Sequence, residues 1–144
     1  MFTRYNKKLY TRSGKHTLNK PIKKRRQLEA IEQKAVIAKA QYHPILSKFL
    51  YASANGGSRH ILEAINLKEM GVKAGVSDLH LPYPVHPYHG AWVEMKQRDR
   101  KKARLTPEQA EWLQLMKSVG FATAECYGWE EAWEFFIKYL GGKL

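Results

Sequence analysis

The chain has 144 residues, enough for one ordinary domain with its own hydrophobic core. Its 25 Lys and Arg outnumber 13 Asp and Glu and give a formal net charge of +12, which favours a polyanionic partner. No run reaches the ~18 apolar residues of a membrane span, no secretory signal is visible, and the single cysteine, Cys126, excludes an intramolecular disulfide. We therefore expect a cytoplasmic protein with no membrane partner.

Much of the positive charge lies in the first 26 residues, which contain no acidic side chain. Such a run is typical of a solvated arm, and it also suits contact with phosphate groups. The charge pattern predicts a basic N-terminal tail at residues 1–26 and a folded domain at residues 27–144. The basic residues of the tail are Arg4, Lys7, Lys8, Arg12, Lys15, Lys20, Lys23, Lys24, Arg25 and Arg26.

An apolar pattern at helical spacing predicts a first helix over residues 25–41, which ends near His43 and Pro44. The run at residues 48–57 looks extended and closes on the turn signal Asn-Gly-Gly. A second helix is predicted over residues 58–71, where Gly71 ends it. The pattern of the first helix is formed by Leu28, Ile31, Ala35, Ile37 and Ala38.

The second half of the chain alternates strands and helices. Residues 78–81 and 91–97 read as strands, whereas the prolines at residues 82–90 exclude a central strand there. A helix begins at Thr106 and Pro107 and ends before Gly120. A strand over residues 121–127 and a helix over residues 129–140 complete the chain. This order predicts an α/β fold in which helices flank a small mixed sheet.

The strand at residues 91–97 carries charges that do not help it to bury itself. Alternation puts Glu94 and Lys96 on one face and Val93 and Met95 on the other. Asp78 begins the neighbouring strand, and because adjacent strands lie about 5 Å apart the two carboxylates can converge. Paired carboxylates suit Mg²⁺, and a nearby lysine can stabilise charge that develops on a phosphodiester. The alternative is an ion pair on the strand surface.

Several motifs occur in a specific order along the chain. They are ANGGSR at residues 54–59, MGVKAGVSDLHL at 70–81, AWVEMK at 91–96 and the segment 105–140, which begins LTPEQ. Together they resemble the VRR-NUC family, the virus-type replication and repair nucleases of the PD-(D/E)XK superfamily, over residues 27–140. The resemblance implies a restriction-endonuclease-like core and a stand-alone, phage-type member of the family.

The resemblance also implies a role for individual residues. Asp78 matches the metal-binding aspartate of the family, Glu94 its second acidic ligand and Lys96 its catalytic lysine. The backbone carbonyl of Met95 matches the position that commonly completes the metal shell. The implied cofactor is Mg²⁺ or Mn²⁺.

Two further matches have structural alternatives. Gln109 matches the family's glutamine near the lysine and the substrate phosphate, but it is also the fourth residue of a capping box that begins at Thr106. Glu29, with Gln33 four residues on, matches the acidic residue of the first helix, which acts at the metal. Its alternative is an exposed charge on that helix, and Glu32 is an alternative register.

Histidine and basic residues supply the remaining candidates. A transition-metal site can be drawn from His80, His86 and Asp78, although histidine in a proline-rich loop is commonly a polar turn residue. The loop after Lys96 is basic and suits phosphate contacts, with a solvated surface loop as the alternative. The candidate DNA-binding residues are Arg98, Arg100, Lys101, Lys102 and Arg104 in this loop and Lys23, Lys24, Arg25 and Arg26 in the tail.

The leading hypothesis is a Mg²⁺- or Mn²⁺-dependent DNA endonuclease that cuts structured or branched DNA and is similar to a Holliday-junction-resolving enzyme. The resemblance implies a homodimer that acts in replication, recombination or repair. One alternative is a nuclease specific for flaps or replication forks. The other, from a different class, is a DNA-binding module without catalysis.

Overall fold

The structure is a computed structural model that describes residues 20–53 and 61–144. It confirms the predicted α/β class. In chain order the elements are α1 (Lys20–Ala40), α2 (Leu46–Phe49), β1 (Tyr51–Ala52), α3 (Ile61–Glu69), β2 (Leu79–Leu81), β3 (Ala91–Lys96), α4 (Pro107–Ser118), β4 (Ala122–Tyr127) and α5 (Trp129–Leu140).

The four strands form one mixed sheet in the order β1-β2-β3-β4. β2 pairs with β3 in an antiparallel hairpin, and β1 pairs antiparallel with β2. β3 and β4 run parallel, which requires a crossover, and α4 provides it. β3 therefore has a strand on each side, and all six of its residues are buried.

The two faces of β3 meet different helices. Val93 and Met95 pack in the hydrophobic core with Val36 of α1 and with Phe136 of α5. The opposite face meets α4, where the Trp92 and Trp112 rings contact edge to face at 5.4 Å between centroids. The alternation predicted for β3 thus divides an apolar face under α1 and α5 from a face that carries Glu94 and Lys96.

The first helix differs from its prediction in two ways. α1 begins at Lys20 rather than near residue 25, so residues 20–26 of the predicted basic tail form its first turns. Its buried positions are Glu32, Val36 and Ala40, whereas Leu28 and Ile31 are exposed. Of the apolar residues that predict the helix, Ile37 packs against the core, whereas Leu28 and Ile31 do not. Residues 1–19 lie outside the described part, and the boundary between tail and domain stays a prediction.

Of the run predicted as extended at residues 48–57, the structure describes residues 48–53, and these form a strand only at Tyr51–Ala52. The strand β1 covers Tyr51–Ala52, and a short helix, α2, precedes it. Nδ1 of His43 accepts hydrogen bonds from the amides of Ile45 and Leu46 at 3.2 and 3.3 Å. The His43 side chain thus provides an acceptor for two backbone amides at the start of this helix. The predicted turn at residues 55–57 lies outside the described residues.

The proline-rich insert at residues 82–90 forms no regular strand, as predicted, and is tied to α5. The Tyr139 hydroxyl donates to the Tyr83 carbonyl at 2.6 Å and accepts from the Val85 amide at 3.1 Å. Within residues 20–53 and 61–144, no helix has both the length and the apolar character needed to cross a membrane.

Candidate active site

The site is built on the face of β3 that turns away from the main core. Glu94 and Lys96 lie two residues apart on this face and are 1% and 3% exposed. Lys96 Nζ donates a hydrogen bond to Glu94 Oε1 at 2.9 Å. The alternative of an ion pair on the strand surface is thus wrong, because the pair is buried, which is a far more costly arrangement for both charges.

Gln109 joins this pair from the first turn of α4. Its Oε1 accepts from Lys96 Nζ at 3.0 Å, and its Nε2 donates to Glu94 Oε1. The same Oε1 accepts from the Thr106 amide at 3.0 Å, and Thr106 Oγ1 accepts from the Gln109 amide at 3.3 Å. The capping box is therefore present, and it positions Gln109 against Glu94 and Lys96, so the two interpretations of this residue describe one arrangement.

Asp78 approaches from the residue that precedes β2. Its Oδ2 accepts a hydrogen bond from the Met95 amide at 2.8 Å. The β2–β3 register pairs Leu79 with Val93, so one step further along brings Asp78 beside Glu94. Because the amide and carbonyl of one strand residue point to the same edge, the Met95 carbonyl lies on the side of Asp78.

Glu29 reaches the site from α1. Burial raises the pKa of its carboxyl, while the charges of Lys96 and Arg25 oppose this rise and that of Asp78 adds to it. Arg25 Nε lies 3.7 Å from Glu29 Oε1. The structure thus brings Glu29 within electrostatic range of the residues on β2 and β3.

The carboxyl groups of the site are electrostatically unfavourable without a cation. Burial raises the pKa of Asp78, although the hydrogen bond from the Met95 amide opposes the rise. Burial also raises the pKa of Glu94 to about 8; the nearby Asp78 charge adds to this rise, and Lys96 only partly offsets it. Glu94 Oε2 is buried without a hydrogen-bond partner. A positive charge bound here would relieve all three effects.

These residues fit a hard divalent cation that prefers oxygen ligands, such as Mg²⁺ or Mn²⁺, better than a softer ion that prefers histidine or cysteine. The available ligands are carboxylate and carbonyl oxygens, which Mg²⁺ prefers, and Mg²⁺ keeps several of its waters. No cluster of three or more His, Cys, Asp or Glu that suits a metal ion occurs within the described ranges. Asp78, Glu94 and the Met95 carbonyl would therefore supply part of a coordination shell and leave the remainder to water and substrate.

The histidine site drawn from the sequence does not form. His80 stacks on Trp92 with 3.8 Å between ring centroids, and its Nδ1 lies 2.7 Å from the Tyr51 hydroxyl. His86 is exposed in the insert. His80 and His86 therefore do not converge with Asp78 on one ion. The described residues hold no cluster of three His, Cys, Asp or Glu that could hold a metal ion, so Glu29 also does not complete a three-carboxyl cluster with Asp78 and Glu94.

The basic loop after β3 is largely held by ion pairs. Arg98 pairs with Glu32 at 2.7 Å and with Glu130 at 2.8 Å. Arg100 and Lys102 also have acidic partners, while Lys101 and Arg104 are exposed. In the predicted tail, Lys24 and Arg26 are exposed, Arg25 pairs with Glu29, and the side chain of Lys23 lies outside the described part.

Glu32, the alternative to Glu29 in the sequence-based prediction, has a clear role in the structure. Glu32 is 8% exposed, and its carboxylate accepts from Arg98 and, at 3.0 Å, from the Trp129 amide at the start of α5. Glu32 therefore connects α1 to the loop after β3 through Arg98 and to the start of α5 through Trp129. Glu29, and not Glu32, interacts electrostatically with Lys96 and Asp78 of the site. The contacts of Glu32 join residues so far apart in the chain that no local pattern predicts them.

The sequence also offers no prediction for a polar pair on β4. Glu125 pairs with Glu94 in the β3–β4 register, and its carboxylate accepts a hydrogen bond from the Tyr127 hydroxyl. This bond raises the pKa of Tyr127 to about 12. Arg100 covers the Tyr127 ring at 4.0 Å. Alternation along β4 puts Glu125 and Tyr127 on the same face as Glu94, which is a signal that the sequence does contain.

The mixed sheet flanked by helices and the family match given next identify a nuclease domain of the PD-(D/E)XK type. The family model of the VRR-NUC domain matches residues 15–130, so the chain belongs to the VRR-NUC family and its substrate class is DNA. A solved structure of a "VRR_NUC domain protein" has a similar fold, with a TM-score of 0.69 and 24% identity over 79% of this chain and 88% of that chain. No curated protein matches significantly.

Proposed function

We propose that this protein is a Mg²⁺- or Mn²⁺-dependent endonuclease that hydrolyses phosphodiester bonds in branched DNA, as a Holliday-junction-resolving enzyme does. The observation that carries the proposal is the hydrogen-bonded cluster of Glu94, Lys96 and Gln109, with Asp78 held beside it by the Met95 amide. Its activity would serve replication, recombination or repair in the cytoplasm.

The residues that would hold the cation are Asp78, Glu94 and the Met95 carbonyl, with Glu29 nearby. The unpartnered Oε2 of Glu94 and the raised pKa of each carboxyl support this assignment. When bound, a divalent cation lowers the pKa of a water ligand and offsets negative charge on the phosphodiester.

Lys96 is the group of the chain that acts on the reacting phosphate or on the attacking water. An ammonium has three donors, and Lys96 directs two of them to Glu94 and Gln109. This leaves one N–H for a water or a phosphate oxygen. Gln109 holds the ammonium in place, and the capping box of α4 holds Gln109, so the donor is oriented before substrate binds.

DNA contacts outside the site would come from the exposed basic residues. Lys101 and Arg104 lie in the loop that directly follows β3, and both are exposed. Lys24 and Arg26 lie on the first turns of α1, the helix that carries Glu29. Cationic side chains near a nuclease site contact phosphates without regard to sequence, which suits recognition of DNA by its shape.

The preferred DNA structure is tested with a panel of substrates. The purified protein is incubated with labelled four-way junction, flap, fork, single-stranded and duplex DNA in Mg²⁺, Mn²⁺ or EDTA. Paired, symmetric cuts in the four-way junction are the expected result. Cuts in one strand of a flap or fork would favour the alternative specificity, and binding without cutting under every condition would leave a DNA-binding module.

A further inference from the structure

A row of side chains crosses the sheet on the face that carries the site. The strand registers pair Tyr51 with His80, His80 with Trp92, and Trp92 with Thr123. Directly paired residues of neighbouring strands point to the same face, and Trp92 shares that face with Glu94, two residues further along β3. We call this set the aromatic row. It consists of Tyr51, His80, Trp92 and Thr123.

The aromatic row lies directly beside the carboxylates of the site. Asp78 precedes His80 by two residues, so the two positions are about 7 Å apart along the chain. Tyr51 pairs with His80, which makes it the diagonal neighbour of Asp78, and such neighbours in an antiparallel pair lie about 7 to 8 Å apart. A nucleotide whose phosphate reaches the carboxylates therefore has its base within reach of the aromatic row.

Tyr51 is the most exposed member of the aromatic row. It is 50% exposed, whereas Trp92 is 9% exposed and His80 is half-buried. Its strand, β1, lies at one edge of the sheet, so Tyr51 stands at the margin of the face rather than at its centre. Tyr51 is thus the ring of the row that a substrate can reach.

The Tyr51 ring is held in place by its neighbours. Its hydroxyl lies 2.7 Å from His80 Nδ1, and the two rings meet edge to face with 5.3 Å between centroids. His80 is stacked in turn on Trp92, at 3.8 Å between centroids and 7° between ring planes. Trp112 of α4 contacts the Trp92 ring from the other element of the site. Because these contacts fix the Tyr51 ring before substrate binds, a group that stacks on it loses little affinity to the ordering of side chains.

The chemistry of the aromatic row suits a base rather than a phosphate. The row contains no Lys, Arg, Asp or Glu, so it offers no charge to the DNA backbone. A half-open aromatic ring stacks on the flat face of any base, whatever the sequence. Within a duplex both faces of a base are covered by its neighbours, so only a base that has left the stack can bind the ring.

We propose that Tyr51 is the stacking surface for an unpaired base next to the phosphate that Asp78 and Glu94 would hold. Tyr51 is then a specificity-determining residue, which favours DNA with unpaired bases at a branch over a continuous duplex. The inference rests on the proposed function for the position of the phosphate, and it names the feature of the substrate that the site selects. Its tests measure binding in EDTA, so a failure of stacking and a failure of cleavage are distinguishable.

The first experiment compares the affinity of the full chain for a fork with single-stranded arms and for a duplex of the same sequence, by filter binding in EDTA. Tyr51→Ala should raise the Kd for the fork at least about fivefold and leave the Kd for the duplex unchanged. Tyr51→Phe keeps the ring and should retain the preference for the fork. The matched control is Tyr42→Ala, which removes a tyrosine that is 92% exposed beyond the end of α1 and should change neither Kd.

Two results of this comparison would overturn the proposal. An equal loss of affinity for fork and duplex in Tyr51→Ala would assign Tyr51 to general binding or to the fold. An equal loss in Tyr51→Phe and Tyr51→Ala would assign the effect to the hydroxyl and its bond to His80, and not to stacking on the ring.

The second experiment detects the stacking contact itself. The fluorescent base 2-aminopurine is placed in turn at each of the first unpaired positions beside the branch of the fork, and its emission falls when it stacks on a tyrosine. In EDTA, the complex with Tyr51→Ala should be brighter at one of these positions than the complexes with the wild type and with Tyr42→Ala. Equal emission from all three complexes at every position would overturn the proposal.

Discussion

Lys96 Nζ lies 2.9 Å from Glu94 Oε1, and both side chains are almost fully buried on one face of β3. The attraction in such a pair rarely exceeds the cost of removing both charges from water, so the pair is weak support for stability. Gln109 adds hydrogen bonds to both partners. The arrangement holds one ammonium in a fixed place beside Asp78, which is what a hydrolytic site requires.

Removal of the ammonium should stop catalysis and leave DNA binding in place. Lys96→Met keeps most of the length of the side chain and removes the charge, so we expect the cleavage rate to fall about 100-fold or more. DNA affinity should change little, because the exposed basic residues supply the phosphate contacts. Single-turnover cleavage and filter binding measure the two effects. A variant that cuts at the wild-type rate would contradict the role of Lys96.

The metal-free protein should lose stability as the pH rises. Glu94 has a folded pKa of about 8, above its model-compound value of 4.5, so between these limits the folded state binds more protons than the unfolded state. The free energy of unfolding then falls with rising pH by up to about 1.4 kcal/mol per pH unit for this one group. Asp78 and Glu29 shift in the same direction.

Glu94→Gln provides the matched variant for this effect. It removes the titration and should give a flatter profile and a more stable protein at pH 8, when both proteins are unfolded by urea in EDTA. Added Mg²⁺ should stabilise the wild type most at the high end of this range, because it replaces protons at the site. Parallel profiles for the two proteins would show that Glu94 does not titrate in this window.

The two roles of Gln109 can be separated at α4. Thr106→Ala removes the hydroxyl cap but keeps the Thr106 amide that donates to Gln109 Oε1, so it should cost about 1 kcal/mol of stability while cleavage stays close to wild type. Gln109→Ala also removes the contacts to Lys96 and Glu94, and we expect cleavage to fall about 10- to 100-fold. Comparing the two variants by urea unfolding and cleavage rate tests this. Equal activity in both would assign Gln109 to the cap alone.

Substitutions at Glu29 and Glu32, three residues apart on α1, should have different effects, one on metal binding and the other on stability. Glu32→Ala leaves the Trp129 amide without its acceptor and removes one of the two carboxylates that bind Arg98, and it should destabilise the fold by about 1 to 2 kcal/mol. Glu29→Ala should cost little stability, because it removes a buried carboxyl of raised pKa, but it should weaken Mn²⁺ binding. Urea unfolding and metal titration by calorimetry distinguish them. The reverse pattern would favour the Glu32 register.

Phosphate contacts should come from the unpaired members of the basic loop. Lys101→Ala with Arg104→Ala should reduce the slope of log Kd against log salt by about 2, since each phosphate contact contributes about 0.9. Arg98→Ala should change the slope less, because Arg98 pairs with Glu32 and Glu130. Binding to one duplex over a range of salt concentrations measures both variants. A larger slope change for Arg98→Ala would reverse the assignment.

Local patterns predict the parts of the fold that depend on local physics. Alternation along β3, the capping box at Thr106 and the turn glycine after α4 are each readable within a few residues, and the structure confirms them. Asp78 is predicted at the start of the neighbouring strand, and the hairpin register brings it beside Glu94. The resemblance of spaced motifs adds only its implied role as a metal ligand.

The remainder depends on contacts that the chain makes across long separations. Leu28 and Ile31 form the clearest apolar pattern of α1, yet the core selects Val36 and Ala40, because α5 and β3 pack on that side. The pairing of Glu32 with Arg98 and the position of Glu125 beside Glu94 arise only when β3, β4 and α1 meet. Alternation assigns Glu125 to one face of β4, but no spacing along the chain predicts the strand register or these tertiary contacts.

The most direct test of the central claim compares the wild type with Asp78→Asn in one pair of measurements. The variant keeps the size of the side chain and removes a carboxylate from the site. We expect Mn²⁺ binding by calorimetry to weaken at least about tenfold, metal-dependent cleavage of DNA to be lost, and DNA binding in EDTA to stay at the wild-type level. A variant that still binds Mn²⁺ and cuts DNA as the wild type does would contradict the assignment of this site as the metal-dependent nuclease centre.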